Sequence, residues 1–250
     1  MPRRRELAEN LAAIEARIAA ACTAAGRDPA EVTLIAITKT WPDSDVRHLV
    51  DLGARNLGEN RDAEAAAKAA AAAAAGLVGI RWHFVGQVQT NKARSVARYA
   101  DVVHSVDRLR LVRALAAGAV EAGREVGALI QVDVGPRAGS PGSSSRGSGA
   151  AASGQGRGGA SPAEVPGLAD EIAAAPGLRL LGVMAVAPLG LAPAQAFETL
   201  AAVASALRSA HPDATWISAG MSGDLEVAVG AGATHVRVGS GLLGNRPVAR

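Results

Sequence analysis

Cysteine is almost missing from this 250-residue chain: Cys22 is the only one. No internal disulfide can form, and the sequence suits a reducing compartment. Aromatic residues make up only 2%, too few for the extended stacking surface that single-stranded nucleic acids use. Long apolar runs are missing as well. The longest, Ala69 to Ala75, is too short and too weakly hydrophobic to span a bilayer. No two-histidine helical spacing and no cysteine pair offers metal ligands. Lysine is rare: Lys39, Lys68 and Lys92 are the only three, and arginine supplies the rest of the 26 basic residues.

The opening Met-Pro-Arg-Arg-Arg has the charge of a signal n-region, but Glu6, Glu9, Glu15 and Arg17 interrupt the apolar core such a signal needs. A cytoplasmic location is therefore expected. The net charge of +3 is modest and the arginines are scattered, so neither nucleic acid nor membrane is expected as a partner.

What is present is regular alternation. At 49% hydrophobic the chain can bury a full core. Residues 5–25 carry Leu7, Leu11, Ile14 and Ile18 at helical spacing and stop at Gly26. Strands are then predicted over 32–39, 55–60, 80–85, 102–106, 128–134, 178–186, 215–219 and 235–238. Helices are predicted between them over 42–52, 62–75, 90–98, 108–122, 163–174, 193–209 and 223–230, with Asp107 placed to cap the fifth of these counted from the first helix. Eight strands in this rhythm and length predict a single (β/α)8 barrel with an extra N-terminal helix, which takes the outer position of an eighth helix. A doubly wound sheet is the alternative, but no Gly-x-Gly-x-x-Gly fingerprint follows the first strand. Residues 135–159 are almost wholly Gly, Ser, Ala, Pro and Arg, a composition that predicts a disordered loop inside one domain spanning 1–250.

Lys39 ends the run Val-Thr-Leu-Ile-Ala-Ile-Thr-Lys-Thr, which reads as a strand buried on both faces. Two readings are open: a lysine kept for Schiff-base chemistry with an aldehyde or ketone, or a strand-end lysine snorkelling to solvent. In a barrel the site forms where strands end, and the residues collected there are coherent. Ser218, Met221 and Ser222 follow strand seven, and Gly239 and Ser240 follow strand eight; small residues and hydroxyls in these two loops can cradle a phosphate. Tight turns explain the same glycines. An amine with a phosphate cradle matches what pyridoxal 5'-phosphate requires. Arg237 can enter the same space, where an arginine at the pyridine nitrogen would weaken the ring as an electron sink; a salt bridge inside the barrel is its other reading. Asn60 could hold the cofactor's 3'-hydroxyl or cap a turn. His83 and Met184 read first as core residues.

Six ordered motifs now carry a likeness: Ile-Thr-Lys-Thr with Pro42, Leu-Gly-Glu-Asn-Arg, Trp-His-Phe-Val-Gly-Gln-Val-Gln-Thr-Asn-Lys, His-Ser-Val-Asp, Gly-Met-Ser-Gly-Asp and Val-Arg-Val-Gly-Ser. From Leu7 to Asn245, apart from the Gly/Ser stretch, the chain resembles the pyridoxal phosphate homeostasis proteins, which are similar to the barrel half of fold-type III alanine racemases. The resemblance implies that Lys39 carries the Schiff base, that Ser218, Met221, Ser222, Gly239 and Ser240 surround the phosphate, and that Arg237 faces the pyridine nitrogen. It further implies that Asn60, His83 and Met184 line the pocket. The implied role is storage, buffering or delivery of the cofactor without catalysis, by a monomer in transient contact with apo-enzymes that use it. The alternative is a racemase or decarboxylase of fold type III, and a Schiff-base aldolase ranks behind both. Against a racemase, the only tyrosine, Tyr99, precedes strand four, and a chain ending at Arg250 leaves no room for the further β domain of the racemases.

Overall fold

The computed structural model describes residues 2–135 and 158–244. Eight parallel strands close into a barrel in sequence order, β1 (Thr33–Ile37), β2 (Asn56–Glu59), β3 (Arg81–Phe84), β4 (Val102–Val106), β5 (Val126–Gln131), β6 (Leu178–Met184), β7 (Trp216–Ser218) and β8 (His235–Val238). Ile35 opposite Arg237 closes the ring. Outside it lie α1 (Pro2–Ala24), α2 (Asp43–Asp51), α3 (Asp62–Ala74), α4 (Ala93–Ala97), α5 (Leu109–Glu121), α6 (Val165–Ala174), α7 (Pro193–Ala210), α8 (Leu225–Gly230) and α9 (Ser240–Leu243). Of the Gly/Ser-rich stretch expected as a loop, residues 136–157 lie outside the described residues.

The alternation of side chains along each strand sorts the sequence into two layers. Outward residues such as Ala36, Leu57, Trp82, Val236 and Val238 pack under α1, α2 and α8. The barrel interior holds Val102, Leu129, Leu181, Met184 and Trp216, together with buried His83, His104 and His235. Gly182 marks a sharp irregularity: β6 gains Leu181 as an extra residue against β5. At φ +149 a Cβ on Gly182 would sit 1.9 Å from the Trp216 carbonyl oxygen, so only glycine lets the bulged strand stay paired.

The amphipathic first helix behaves as expected. Leu7, Leu11, Ile14 and Ile18 are buried, and α1 packs on α2, α8 and α9. Polar side chains tie it down. Arg3 donates to Asp45 and to the Leu243 carbonyl, Asn10 to the Leu242 carbonyl, and Arg17 to Glu226 and the Ser222 carbonyl. Two expectations need correcting. Asp107 does not cap α5, because the cap position falls on Arg108 and Asp107 pairs instead with the Arg108 guanidinium at 2.5 Å. A final turn of helix, α9, follows β8, so α1 is not alone at the last outer position. Among the described residues no helix is long and apolar enough to cross a membrane.

Candidate functional site

A cavity of about 620 Å³ opens at the carboxyl ends of the strands, within the usual size range of small-molecule sites. Its walls come from the inward positions just beyond the strands. At the end of β1 and in the turn after it these are Ile37, Lys39 and Trp41; after β2 and β3 they are Asn60, Val85 and Gly86. Val186 follows β6, Met221, Ser222 and Gly223 follow β7, and Arg237, Gly239 and Ser240 belong to β8 and its loop. Lys39 and Arg237 are the only ionisable groups among these lining residues.

Lys39 lies two residues past the end of β1 and is half-buried. It takes no hydrogen bond or ion pair among the described residues, so its amine is free toward the cavity. The Trp41 amide closes a turn onto the Thr38 carbonyl at 3.1 Å. Thr40, third in that turn, has φ +68, a left-handed conformation that costs a β-branched residue about 1–3 kcal/mol.

Arg237 is 5% exposed and, among the described residues, hydrogen-bonds to no carboxylate: Nη1 donates to Ser218 Oγ at 2.7 Å and Nη2 to the Ala185 carbonyl at 2.8 Å. Burial pulls its pKa down to about 10, which leaves it charged at neutral pH. A buried cation held only by neutral acceptors keeps its charge for an electronegative atom in the cavity.

Below Arg237 a chain of hydrogen bonds runs through the barrel. His83 Nε2 meets Asn56 Oδ1 at 3.1 Å, His83 Nδ1 meets His104 Nε2 at 2.9 Å, and His104 Nδ1 meets Ser218 Oγ at 3.0 Å. Burial, chiefly, pushes both histidines well below their ordinary pKa, so both rings are neutral. The Asn56 oxygen can only accept, which fixes the order. His83 donates to Asn56, His104 to His83, and the Ser218 hydroxyl to His104, leaving the Ser218 lone pair to receive Arg237.

Opposite, Ser222 Oγ accepts the Gly241 amide at 3.1 Å and lies 3.3 Å from Ser240 Oγ. A Cβ at Gly223 would meet nothing within 4 Å, so an anion can approach the backbone there. Asn60 Oδ1 is buried without a partner: an orphaned acceptor on the cavity wall awaits a donor. Gly86 sets the width of this wall. A Cβ there would lie 2.4 Å from the Asn60 carbonyl oxygen and 2.8 Å from its Cα. Gly86→Ala is therefore expected to destabilise the protein by about 1–3 kcal/mol and to displace Asn60, which thermal melting and ligand titration would detect.

Of the residues expected at the site, Lys39, Asn60, Met221, Ser222, Arg237, Gly239 and Ser240 are brought together at the cavity. His83, Met184 and Ser218 are buried one inward layer lower and are not among its lining residues. Val85, Val186 and the loop after Ser218 occupy the level expected of them. Ser218 still bears on the site through Arg237. Tyr99 lies outside the barrel, its hydroxyl on Asp62 at 3.3 Å. The buried Lys68 was not expected from the sequence: Ala65, Lys68 and Ala72 form the buried stripe of α3, but alanine occupies every face of that helix and marks none as buried.

Comparisons with known proteins bear on the family and the fold. Residues 150–247 match the family described as alanine racemase, N-terminal domain. A pyridoxal phosphate homeostasis protein of Mycobacterium tuberculosis is 42% identical over 98% of this chain and 94% of its own. The protein of the same name in Escherichia coli K12 is 33% identical over 98% and 99%. Among solved structures, PipY of Synechococcus elongatus with PLP bound is 32% identical, with a TM-score of 0.75 over 95% of this chain and 100% of that one. An alanine racemase of Corynebacterium glutamicum shares the fold, at 15% identity and a TM-score of 0.65 over 98% of this chain and 62% of its own.

Proposed function

The chain belongs to the pyridoxal phosphate homeostasis protein family, and on that premise we propose that it binds pyridoxal 5'-phosphate through Lys39 and holds it for storage, buffering or delivery rather than for turnover. The observation that carries this reading is the unpartnered Lys39 amine in the same cavity as a buried Arg237 that lacks a carboxylate. When bound, the cofactor supplies an aldehyde that condenses reversibly with a primary amine, releasing water.

The residues present fit that group. Asn60 Oδ1, orphaned and buried, suits the 3'-hydroxyl as an acceptor. Arg237, fixed as a donor by Ser218 and Ala185, would hold a proton facing the ring nitrogen and keep that nitrogen unprotonated. Ser222, Ser240 and the glycines beside them would receive the phosphate. His83, Met184 and Ser218 would act from the layer beneath, the two polar ones by holding the order of donors that ends on Arg237.

Absence of turnover is supported by the cavity's composition. Besides Lys39 and Arg237, the lining side chains are apolar, amide, hydroxyl or glycine, so among the described residues no second base stands at the cavity for the two-sided proton transfer of a racemase. The relatives are named for homeostasis rather than for a reaction. A cytoplasmic monomer in transient contact with apo-enzymes completes the proposal. The test is to add pyridoxal 5'-phosphate, record the visible spectrum and fix the adduct with borohydride. One equivalent should be captured on Lys39, pass to an apo-enzyme when left unreduced, and turn over no amino acid. Rapid racemisation or decarboxylation would overturn the reading.

A further inference from the structure

The second lysine near the site is wholly buried. Lys68 is 4% exposed, and its Nζ contacts three oxygens at 2.7 Å: Glu59 Oε1, Glu64 Oε1 and the carbonyl of Thr38. Thr38 Oγ1 donates to Glu59 Oε1 at 2.6 Å, and the Thr40 amide donates to Glu64 Oε1. The two residues flanking Lys39 are thus both held by one buried cluster, Thr38 through its carbonyl and hydroxyl and Thr40 through its amide. Between these anchors the turn takes the left-handed conformation at Thr40, which persists only where surrounding contacts over-determine it. Glu59 and Lys68 themselves face the sheet-helix layer and are not among the residues lining the cavity.

We propose that Lys68 is a positioning residue: with Glu59 and Glu64 it clamps the turn from Thr38 to Thr40 so that the Lys39 amine is presented to the cavity. The proposal rests on the reading of Lys39 as the amine that captures pyridoxal 5'-phosphate. Its logic is geometric. A flexible lysine on a slack turn would sample solvent, whereas a fixed turn confines Nζ near the position where an aldehyde carbon arrives. The cluster also explains how Lys68, a primary amine close by, is kept from competing. Its three N–H bonds are all committed and its charge is paired.

Burial raises the Glu59 pKa above the usual carboxylate range despite bonds from Lys68 and Thr38. For Glu64 burial acts in the same direction, but Lys68 and the Thr40 amide outweigh it and the pKa is lowered. Glu64 is thus the firmer anion of the two, and it is the one that holds the far side of the turn.

Two ligands separate positioning from general loss of structure. Pyridoxal 5'-phosphate reports capture by the amine; pyridoxine 5'-phosphate has the same ring and phosphate but no aldehyde, and reports the cavity alone. The variants are Lys68→Met combined with Glu59→Gln, which leaves no unpaired buried lysine partner at Glu59, and Glu64→Ala at the half-exposed edge of the cluster. Circular dichroism establishes that each is folded. Expected in both is pyridoxine 5'-phosphate affinity within about twofold of the parent, with covalent capture slowed about tenfold or more, since misplacement on the order of 1 Å costs about 100-fold. Capture at the parental rate in a folded variant overturns the proposal, as does a parallel loss of both ligands. A parent chain that binds pyridoxine 5'-phosphate but never captures the aldehyde overturns the reading of Lys39 itself, a result distinct from either.

Discussion

Lys39→Ala is expected to abolish covalent capture of pyridoxal 5'-phosphate while leaving the fold intact. Only three lysines exist in the chain, and the other two are occupied or remote. Lys68 is sealed into its carboxylate cluster, and Lys92 lies on the outer surface, 4.0 Å from Asp62. No other lysine can replace the lost one, so the visible band should vanish rather than weaken. Borohydride followed by peptide mass analysis should find one modified lysine in the parent and none in the variant. Because Lys39 makes no hydrogen bond or ion pair among the described residues, its removal should change stability by no more than about 0.5 kcal/mol. Phosphate and ring contacts remain, so pyridoxine 5'-phosphate should still bind. A reducible adduct in Lys39→Ala would sink this assignment.

The second large effect is loss of stability in acid. His83, His104 and His235 are buried and their pKa values are depressed, His83 and His104 well below 6.5 and His235 to about 3, in each case chiefly by burial. Nearby positive charge works in the same direction, from Arg81 on His83 and His235 and from Arg237 on His104 and His235. The unfolded chain binds protons on these rings below about pH 6.5, whereas the folded chain does not, so stability falls as pH falls through that window. It is fully present above the unfolded value. At pH 5.5 each ring costs on the order of 1 kcal/mol, and the three together are a sizeable part of a typical total of about 5–15 kcal/mol. Urea unfolding at pH 7.5 and 5.5 measures the difference. His235→Phe, which preserves the stack on Trp216 at 3.8 Å between ring centres, should reduce the loss by about a third. Equal stability at the two pH values would refute the argument.

Much of the barrel was legible because its strands are short and bounded by clear turn chemistry. The limits of β4 and β8 agree with the residue pattern, and alternation along β8 correctly turned Arg237 inward while Val236 and Val238 faced the helices. Lys39 was readable for the same reason, since it continues the inward series of Ile35 and Ile37. Depth was not readable. Inward positions repeat every second residue, and only three-dimensional packing tells that Val85 reaches the cavity while His83 stays below it. The charged cluster was hidden by a different cause. Glu59, Glu64 and Lys68 belong to β2 and α3 and meet the turn after β1 only once the sheet has formed. In sequence, Glu64 and Lys68 look like one ordinary surface pair of a helix.

The bonds made by α1 have a consequence for the order of events in synthesis. Arg3 reaches the carbonyl of Leu243, and Arg17 reaches that of Ser222. A helix that precedes β1 therefore fastens the segments that follow β7 and β8, the ones that carry the hydroxyls and glycines of the cavity. A nascent chain can assemble most of its strands and still lack a finished site until the residues past β8 emerge. The cavity is thus complete only when the segments before β1 and after β8 have met.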